Sequence, residues 1–417
     1  MSESSARDVA IIGGGIAGLA LALNLHARGL PCRIYEAAPE FKELGVGITL
    51  LPHAMRELAA LGVDGALKAV AIENRESRFF NRFGQLIYSE PRGRFAGYRL
   101  PELGIHRAQL HRILHDAVIA RLGGDHVVLD RKCTGVEQDD GGITLRFQAA
   151  SSGAVAPAVR ARIAVACDGI NSTLRRQFYP QEELAYAGIN TWRGVTRHKP
   201  VFDGRTYMRI GSIRTGKMVI YPIVDDLDGQ GLQLINWVAE LHSETAAKND
   251  WNKPGKLEDV LPIFRDWTFD WLDVAALIRD ADMILEYPMV DRDPVQRWTF
   301  GRVTLAGDAA HPMYPRGSNG SAQALIDVRV LAEALKAADD PIAALKAYES
   351  ARLEPTARIV RMNRESPPDV INIKVEELTG DRPFTNLDDF ISQDELRALS
   401  DRYKAVAGFG VTDVNSR

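Results

Sequence analysis

The sequence predicts an α/β protein in which a parallel sheet wrapped by helices carries an inserted antiparallel sheet and ends in further helices. Three observations carry that prediction. Residues 8–12 form a short apolar run of the kind a strand buried on both faces needs, and it leads directly into Gly13-Gly14-Gly15-Ile16-Ala17-Gly18. Far downstream a second such run, Val303-Thr304-Leu305-Ala306, ends in Gly307-Asp308, followed by a Pro/Gly-rich loop and a new helix. Between them, residues 188–240 carry the patterning of antiparallel strands.

The N-terminal unit reads β-α-β. After the strand at 8–12, an Ala- and Leu-rich helix over 16–28 stops at Gly29, and a strand at 32–35 ends on Glu36. Gly13 permits the tight turn, Gly15 lets the backbone approach a pyrophosphate, and Gly18 lets helix and strand pack closely. The helix N-terminus at Ile16 and Ala17 then faces the phosphates, and Glu36 stands where a carboxylate accepts hydrogen bonds from ribose hydroxyls. This is a Rossmann-like dinucleotide unit.

The remaining elements follow in order. The glycines of Leu44-Gly45-Val46-Gly47-Ile48-Thr49-Leu50 suit a backbone passing close to a flat ring, which makes Gly47 a candidate cofactor contact, and a helix covers 52–61. Residues 77–90 read as a hairpin turning near Phe83-Gly84, and Ile105-His106-Arg107 opens a helix to 122. Strands follow near 127–129, 133–138 and 143–148, and another at 162–167 ends in Asp168-Gly169, with Ser172 and Arg175 behind it. In the insert, strands are expected at 189–195, 206–210, 218–222 and 232–239. A polar loop over 245–256 precedes helices near 261–267 and 271–278. Helices over 321–338 and 341–364 come next, the second bent or broken near Pro355, and a polar tail without a readable motif follows. The resulting division is a cofactor domain from 1–76, 99–180 and 285–365, a substrate domain from 181–284 joined by the hairpin 77–98, and a tail from 366–417.

Composition narrows the partners. The 417 residues, 46% hydrophobic and 25% charged, fit a cytoplasmic globular enzyme, and a net charge of -4 without a Lys/Arg run argues against nucleic acid. No apolar stretch is long enough to span a bilayer, and no secretion signal is evident. Cys32, Cys133 and Cys167 lack metal-ligand spacing, so they read as buried thiols and no metal is expected. A glycine-rich turn alone is a weak signal, but a second strand ending in Gly-Asp supplies another contact surface for a long, two-part cofactor. That combination points to FAD.

Taken together, the chain resembles the class A flavoprotein aromatic hydroxylases, in the branch of the salicylate, 6-hydroxynicotinate and phenazine-carboxylate hydroxylases. The resemblance covers nearly the whole length. It rests on Gly13-x-Gly15-x-x-Gly18 with Glu36, on Asp168-Gly169-x-x-Ser172-x-x-Arg175, and on Gly307-Asp308-Ala309-Ala310-His311 continuing through Pro315, Gly317 and Gly320. The runs Thr191-Trp192-Arg193-Gly194-Val195, Asn236-Trp237-Val238 and Trp251-Asn252 through Pro262 look most like the phenazine type.

The resemblance implies NAD(P)H and O2 as co-substrates, a flavin C4a-hydroperoxide, a small aromatic substrate and a monomer or homodimer. It assigns Asp308 to the ribityl chain, Arg107 to the pyrophosphate or ribityl chain, and Asp168 and Arg175 to a fingerprint linked with FAD and NAD(P)H. The alternative reading of Asp168 and Arg175 is a structural ion pair that holds the strand end. The loop from Pro315 through Gly317 to Gly320 would offer amides and a helix N-terminus to the flavin N1/C2 edge. One position departs from the pattern: Gln323 stands where many relatives carry Asn.

For the substrate, Arg193 is a candidate partner of a carboxylate and Tyr221 and Tyr314 of a phenol, while His311, Pro312, Met313 and Pro315 are candidates to wall the ring. Three of them have a plainer alternative: Arg193 as a structural arginine, Tyr221 as sheet packing, His311 as a loop stabiliser. Hydroxylation with loss of CO2 and plain ring hydroxylation both stay open, as does a non-oxygenating flavin oxidoreductase on the same fold.

Overall fold

The computed structural model describes residues 8–41, 45–246, 253–365 and 367–416. Leu44 of the glycine run, Trp251 and Asn252, and part of the polar loop at 245–256 lie outside the described residues. Strand Val9–Ile12 sits inside a six-stranded sheet, between Ile163–Ala166 and Cys32–Tyr35, both parallel to it. Val303–Leu305 joins beyond Ile163–Ala166 and Val127–Val128 beyond Cys32–Tyr35, again parallel, while Thr299–Phe300 closes one edge antiparallel. Both faces are covered, so the strands carry apolar side chains on each: Ala10, Ile11, Ile34, Val165 and Leu305 are all buried.

Helix Ile16–Ala27 packs between Arg107–Leu122 and Gly320–Ala337. Its closeness to the sheet depends on two glycines. A Cβ on Gly18 would lie 2.0 Å from the Gly13 carbonyl oxygen, and Gly13, at φ +104°, would push a Cβ to 2.5 Å from the Cys167 carbonyl.

A seven-stranded sheet forms the second layer, in the order Met283–Asp291, Ala185–His198, Leu232–His242, Gly216–Leu227, Thr206–Ser212, Glu76–Phe80, Leu86–Pro91. The hairpin at 76–91 enters it by parallel pairing with Thr206–Ser212. The expected boundary at 284/285 falls inside strand Met283–Asp291, which still pairs with Ala185–His198 as the sheet edge. One face, with Met208, Ile210, Met218, Ile220, Ile235 and Trp237, is sealed by helices Leu257–Phe264 and Val274–Arg279. The alternate residues, Val195, Tyr207, Val219, Tyr221 and Ile223, share the opposite face.

Several local expectations shift. Residues 105–106 close strand Leu103–His106 rather than open the helix, and His106 caps Arg107–Leu122 by accepting the Ala108 amide at 3.3 Å. Helix Pro341–Glu365 runs unbroken through Pro355. Strand Val155–Ala161 was not expected, because Pro157 and the exposed Val155 mask its pattern; it lies at a sheet edge, where Pro is tolerated.

The tail docks on both layers through helices Val370–Thr379 and Gln393–Val406. Lys404 and Ser400 bond Glu90 at 2.8 and 2.6 Å, Lys217 bonds Asp369 at 2.6 Å, and the Tyr98 hydroxyl donates to the Phe409 carbonyl at 2.6 Å. No helix among the described residues is long and apolar enough to cross a membrane.

Gly18→Ala should therefore separate helix from sheet and lower stability by about 2 kcal/mol or more. Chemical denaturation with and without the substitution measures this, and an unchanged midpoint would contradict it.

Candidate active site

Four fingerprint segments leave the same end of the parallel sheet. Ile12 runs into Gly13, Tyr35 into Glu36, Ala166 into Cys167-Asp168, and Leu305 into Ala306-Gly307-Asp308, with the four strands adjacent in the sheet. Their carboxyl ends line one crevice, the position where open α/β sheets bind ligands.

The crevice suits FAD. The space where a Cβ on Gly15 would stand has no atom within 4 Å, in contrast to the crowded Gly13 and Gly18. Helix Ile16–Ala27 has neither a side-chain cap nor an acidic residue in its first turn, which leaves its N-terminal amides at Ile16 and Ala17 to a phosphate. Glu36 is held at the strand tip by the amides of Gly14, at 2.5 Å, and Ala38, at 2.8 Å. Asp308 is accessible from the crevice but hemmed in on its other sides, and that crowding raises its carboxyl above the ordinary Asp value against the pull of His311 and Arg107. Asp168 spends Oδ2 on the Thr173 amide at 2.9 Å, while Oδ1 is buried without a partner. Together they offer the free amides, carboxylate oxygens and open space that an adenine-phosphate-ribityl ligand requires.

Other fingerprint residues hold the protein together instead. Arg175 is buried: Nε and Nη2 bond Glu182 at 2.7 and 2.5 Å, Nη1 bonds the Ala309 and Ala310 carbonyls at 2.9 and 2.6 Å, and Nη2 also reaches the Asp293 carbonyl. With its donors used inside the protein, it braces the second fingerprint against the third rather than reaching a cofactor, and its ion-pair partner is Glu182, not Asp168. Gly47 also departs from expectation. Its amide donates to Asn236 Oδ1 at 2.6 Å, and a Cβ there would come within 2.7 Å of the Asn236 Cβ, so this glycine docks the cofactor domain on the inserted sheet.

His311 takes the loop-stabilising alternative. Its Nε2 bonds Asp327, which also accepts from Arg352 at 2.8 Å and from the Gly307 amide at 3.2 Å. Burial pushes the Asp327 carboxyl upward, but His311 and Arg352 outweigh it and hold it below the ordinary Asp value. Gln323 joins this network, accepting from Arg352 at 2.6 Å, so its side chain points beneath the loop.

The loop beyond Pro315, itself exposed, is held by the tail. Gly317, at φ +74°, lies against Tyr403: a Cβ there would sit 1.9 Å from the tyrosine oxygen. The Tyr403 hydroxyl accepts from Asn319 Nδ2 at 2.9 Å and faces Asn363 Oδ1 at 2.9 Å and the Arg316 carbonyl at 3.2 Å. Asn319 Oδ1 meets His53 Nε2 at 3.0 Å, and burial lowers that imidazole to about 3, leaving it neutral. Gly320 then starts a helix without a side-chain cap. Sequence reasoning missed Tyr403 because an isolated tyrosine in a polar tail carries no periodic or motif signal.

Arg107, exposed at the start of its helix, acts electrostatically on both Asp308 and Tyr287 and so marks where crevice and inserted sheet meet. Beyond it, the Arg193 guanidinium lies over the Tyr287 ring at 4.4 Å, with no carboxylate partner among the described residues and with Nε buried without an acceptor. Tyr221 stacks on Tyr207 at 5.0 Å, and burial raises its phenol far above the usual range, keeping it protonated. Tyr314 packs with Ile189 and Met289, and its hydroxyl donates to the Ala185 carbonyl at 3.4 Å.

Fold and crevice together define an FAD-binding flavoprotein with an attached substrate sheet. A profile of the FAD binding domain matches residues 6–206 and 274–363. The chain is 40% identical over 370 residues to a phenazine 1,6-dicarboxylic acid hydroxylase, PhzS, of Lysobacter antibioticus, covering 88% of this chain and 91% of that one. It is 35% identical over 367 residues to a 3-amino-4-hydroxybenzoate 2-monooxygenase, PtmB3, of Streptomyces platensis, covering 86% and 87%. Klebsiella pneumoniae HpxO complexed with FAD and uric acid shares the fold, with a TM-score of 0.74 at 22% identity over 98% of this chain and 96% of that one. The chain belongs to the FAD-binding-domain family and, within it, to the class A flavoprotein aromatic hydroxylases. It is an FAD-dependent monooxygenase with NAD(P)H as co-substrate.

Three outcomes follow from this geometry. Gly15→Val should leave the apoprotein folded but colourless after FAD loading, since the side chain fills only the phosphate approach; a fully yellow variant would contradict it. Tyr403→Phe should lower stability by about 1 kcal/mol and weaken FAD affinity, measured by flavin fluorescence on titration. Because the folded state depresses the Asp327 carboxyl, its contribution to stability is present above the ordinary Asp value of 3.8 and is lost as pH falls through the folded value. Asp327→Asn should flatten that acid limb in a denaturation series.

Proposed function

We propose that the protein hydroxylates a planar aromatic carboxylate of the phenazine type, held by Arg193 beside the crevice. The observation that carries this reading is the Arg193 guanidinium itself: stacked on Tyr287, near Arg107, and without a carboxylate partner among the described residues. A half-buried cation whose Nε lacks an acceptor is completed by an anionic ligand. The 40% identity with a phenazine 1,6-dicarboxylic acid hydroxylase supports the ring class.

When bound, FAD supplies the redox and oxygen chemistry. Gly15 and the N-terminus of helix Ile16–Ala27 hold its pyrophosphate, Glu36 its adenosine ribose, Asp308 and Arg107 its ribityl chain, and the amides near Gly320 its pyrimidine edge. Arg193 orients the substrate through a forked contact, and Tyr221, kept protonated by burial, donates its phenolic proton to a hydroxyl or ring nitrogen. The apolar residues of the same sheet face exclude water from the ring. We place the protein in the cytoplasm as a monomer or homodimer. Its three cysteines are buried free thiols, which suits a reducing compartment.

The test is consumption of NAD(P)H and of labelled O2 by the FAD-loaded enzyme, alone and with phenazine carboxylates, hydroxybenzoates and hydroxynicotinates. Stimulation by a carboxylated phenazine with label in the product is expected, and product mass separates plain hydroxylation from hydroxylation with loss of CO2. Stimulation only by uncharged aromatics would overturn the reading. Arg193→Met should raise KM for carboxylated substrates about tenfold or more while changing KM for neutral analogues little; equal changes would remove the carboxylate role.

A further inference from the structure

We propose that His111 is a further residue of the cofactor site: its imidazole holds the Gly14 carbonyl, and with it the phosphate-binding turn, and on gaining a proton it adds a positive charge there, so that the protein takes up a proton together with FAD.

Helix Arg107–Leu122 carries Arg107, His111 and His115 at intervals of four residues, which puts all three on one face. That face meets the glycine turn. His111 Nε2 lies 2.7 Å from the Gly14 carbonyl oxygen, and because a carbonyl oxygen only accepts, Nε2 carries the hydrogen. On its other side Gly14 donates its amide to Glu36 at 2.5 Å, so the residue is clamped between a strand tip and a helix. Since a trans peptide sets its C=O and N–H on opposite sides, fixing the Gly14 carbonyl also fixes the Gly15 amide, at the position that opens toward the pyrophosphate.

Phe41 closes the third side. A Cβ on Gly14 would stand 3.0 Å from the Phe41 ring and 3.1 Å from Glu36 Oε2, and the ring packs against His111 at 4.6 Å and His115 at 4.9 Å. His111 itself is half-buried, so solvent protons reach it.

Neighbouring charges decide when the ring is protonated. Burial, His115 and Arg107 oppose a positive His111, while the Gly14 carbonyl and Glu36 favour it; the opposition prevails and holds the imidazole below its ordinary value of 6.5. The amino end of helix Ile16–Ala27 works in the same direction. Asp116 lies 3.6 Å from His115 and acts on that ring first. The doubly negative pyrophosphate of FAD reverses the balance, because it binds on the turn that His111 holds. A ligand that strengthens proton binding is bound more tightly by the protonated protein, and by the same factor, about tenfold for each pKa unit of the rise. The gain is complete below the imidazole value of the FAD-free protein and is lost as pH rises through the higher value in the complex.

The experiment strips FAD from the holoenzyme and titrates it back between about pH 5 and pH 8, reading the quenching of flavin fluorescence, in wild type, His111→Gln, His111→Leu and His115→Gln. Wild type should bind about threefold to tenfold more tightly at the acid end. Glutamine keeps an N–H donor and has no titrating charge, so His111→Gln should match wild type near the alkaline end and lose the acid gain. His111→Leu should bind about tenfold more weakly throughout, and His115→Gln should keep the gain. A flat wild-type profile, an acid gain that survives in His111→Gln, or one that vanishes in His115→Gln overturns the proton assignment. His111→Leu that binds like wild type at the alkaline end overturns the hold on the turn. If His111→Leu does not fold, the profile of His111→Gln decides.

Discussion

Everything in the cofactor site depends on the parallel register of four adjacent strands. Because Val303–Leu305, Ile163–Ala166, Val9–Ile12 and Cys32–Tyr35 run the same way side by side, segments scattered along the chain emerge at one edge. Asp308, Asp168, the glycine turn and Glu36 become neighbours by that register alone. Apolar side chains on both faces secure it, since a one-residue slip in any strand would shift these groups along the crevice.

Glycines that look alike along the chain answer to different constraints. Gly13 and Gly18 are demanded by contacts inside the cofactor domain, whereas Gly15 faces open space reserved for a ligand. Gly47 lets Asn236 of the substrate sheet approach, and Gly317 admits Tyr403 from the tail. The last two are docking points, and through them the substrate sheet and the C-terminal helices fix the geometry of loops that belong to the cofactor domain. Tyr403 gathers Asn319, Asn363 and the Arg316 carbonyl around one hydroxyl, so the tail is part of the site's construction.

Below the loop, charge is handled by networks rather than pairs. Asp327 meets His311, Arg352 and the Gly307 amide, and Arg175 ties Glu182 to the carbonyls of Ala309 and Ala310. These arrangements keep buried ionised groups compensated, and they account for fingerprint side chains that do not face the ligand. Arg193 stands apart from them, as a half-buried cation whose surroundings among the described residues supply an aromatic face and no carboxylate.

Much of this was legible in one dimension. The β-α-β unit with Glu36, the strand ending at Asp308 and the antiparallel insert follow from apolar runs, glycine spacing and alternation, which are local properties of the chain. The roles of Gly47 and Tyr403 and the partners of Arg175 and His311 were not legible, because they are set by groups brought in by the fold: Asn236, Asn319, the Ala309 and Ala310 carbonyls, and Asp327. Short-range periodicity and backbone freedom were enough to place most of the strands and turns and to mark them as a dinucleotide site, though not the edge strand Val155–Ala161. Tertiary structure alone decided which polar side chains are consumed in holding the layers together and which remain for a ligand, because that depends on whether a distant group comes within hydrogen-bond reach.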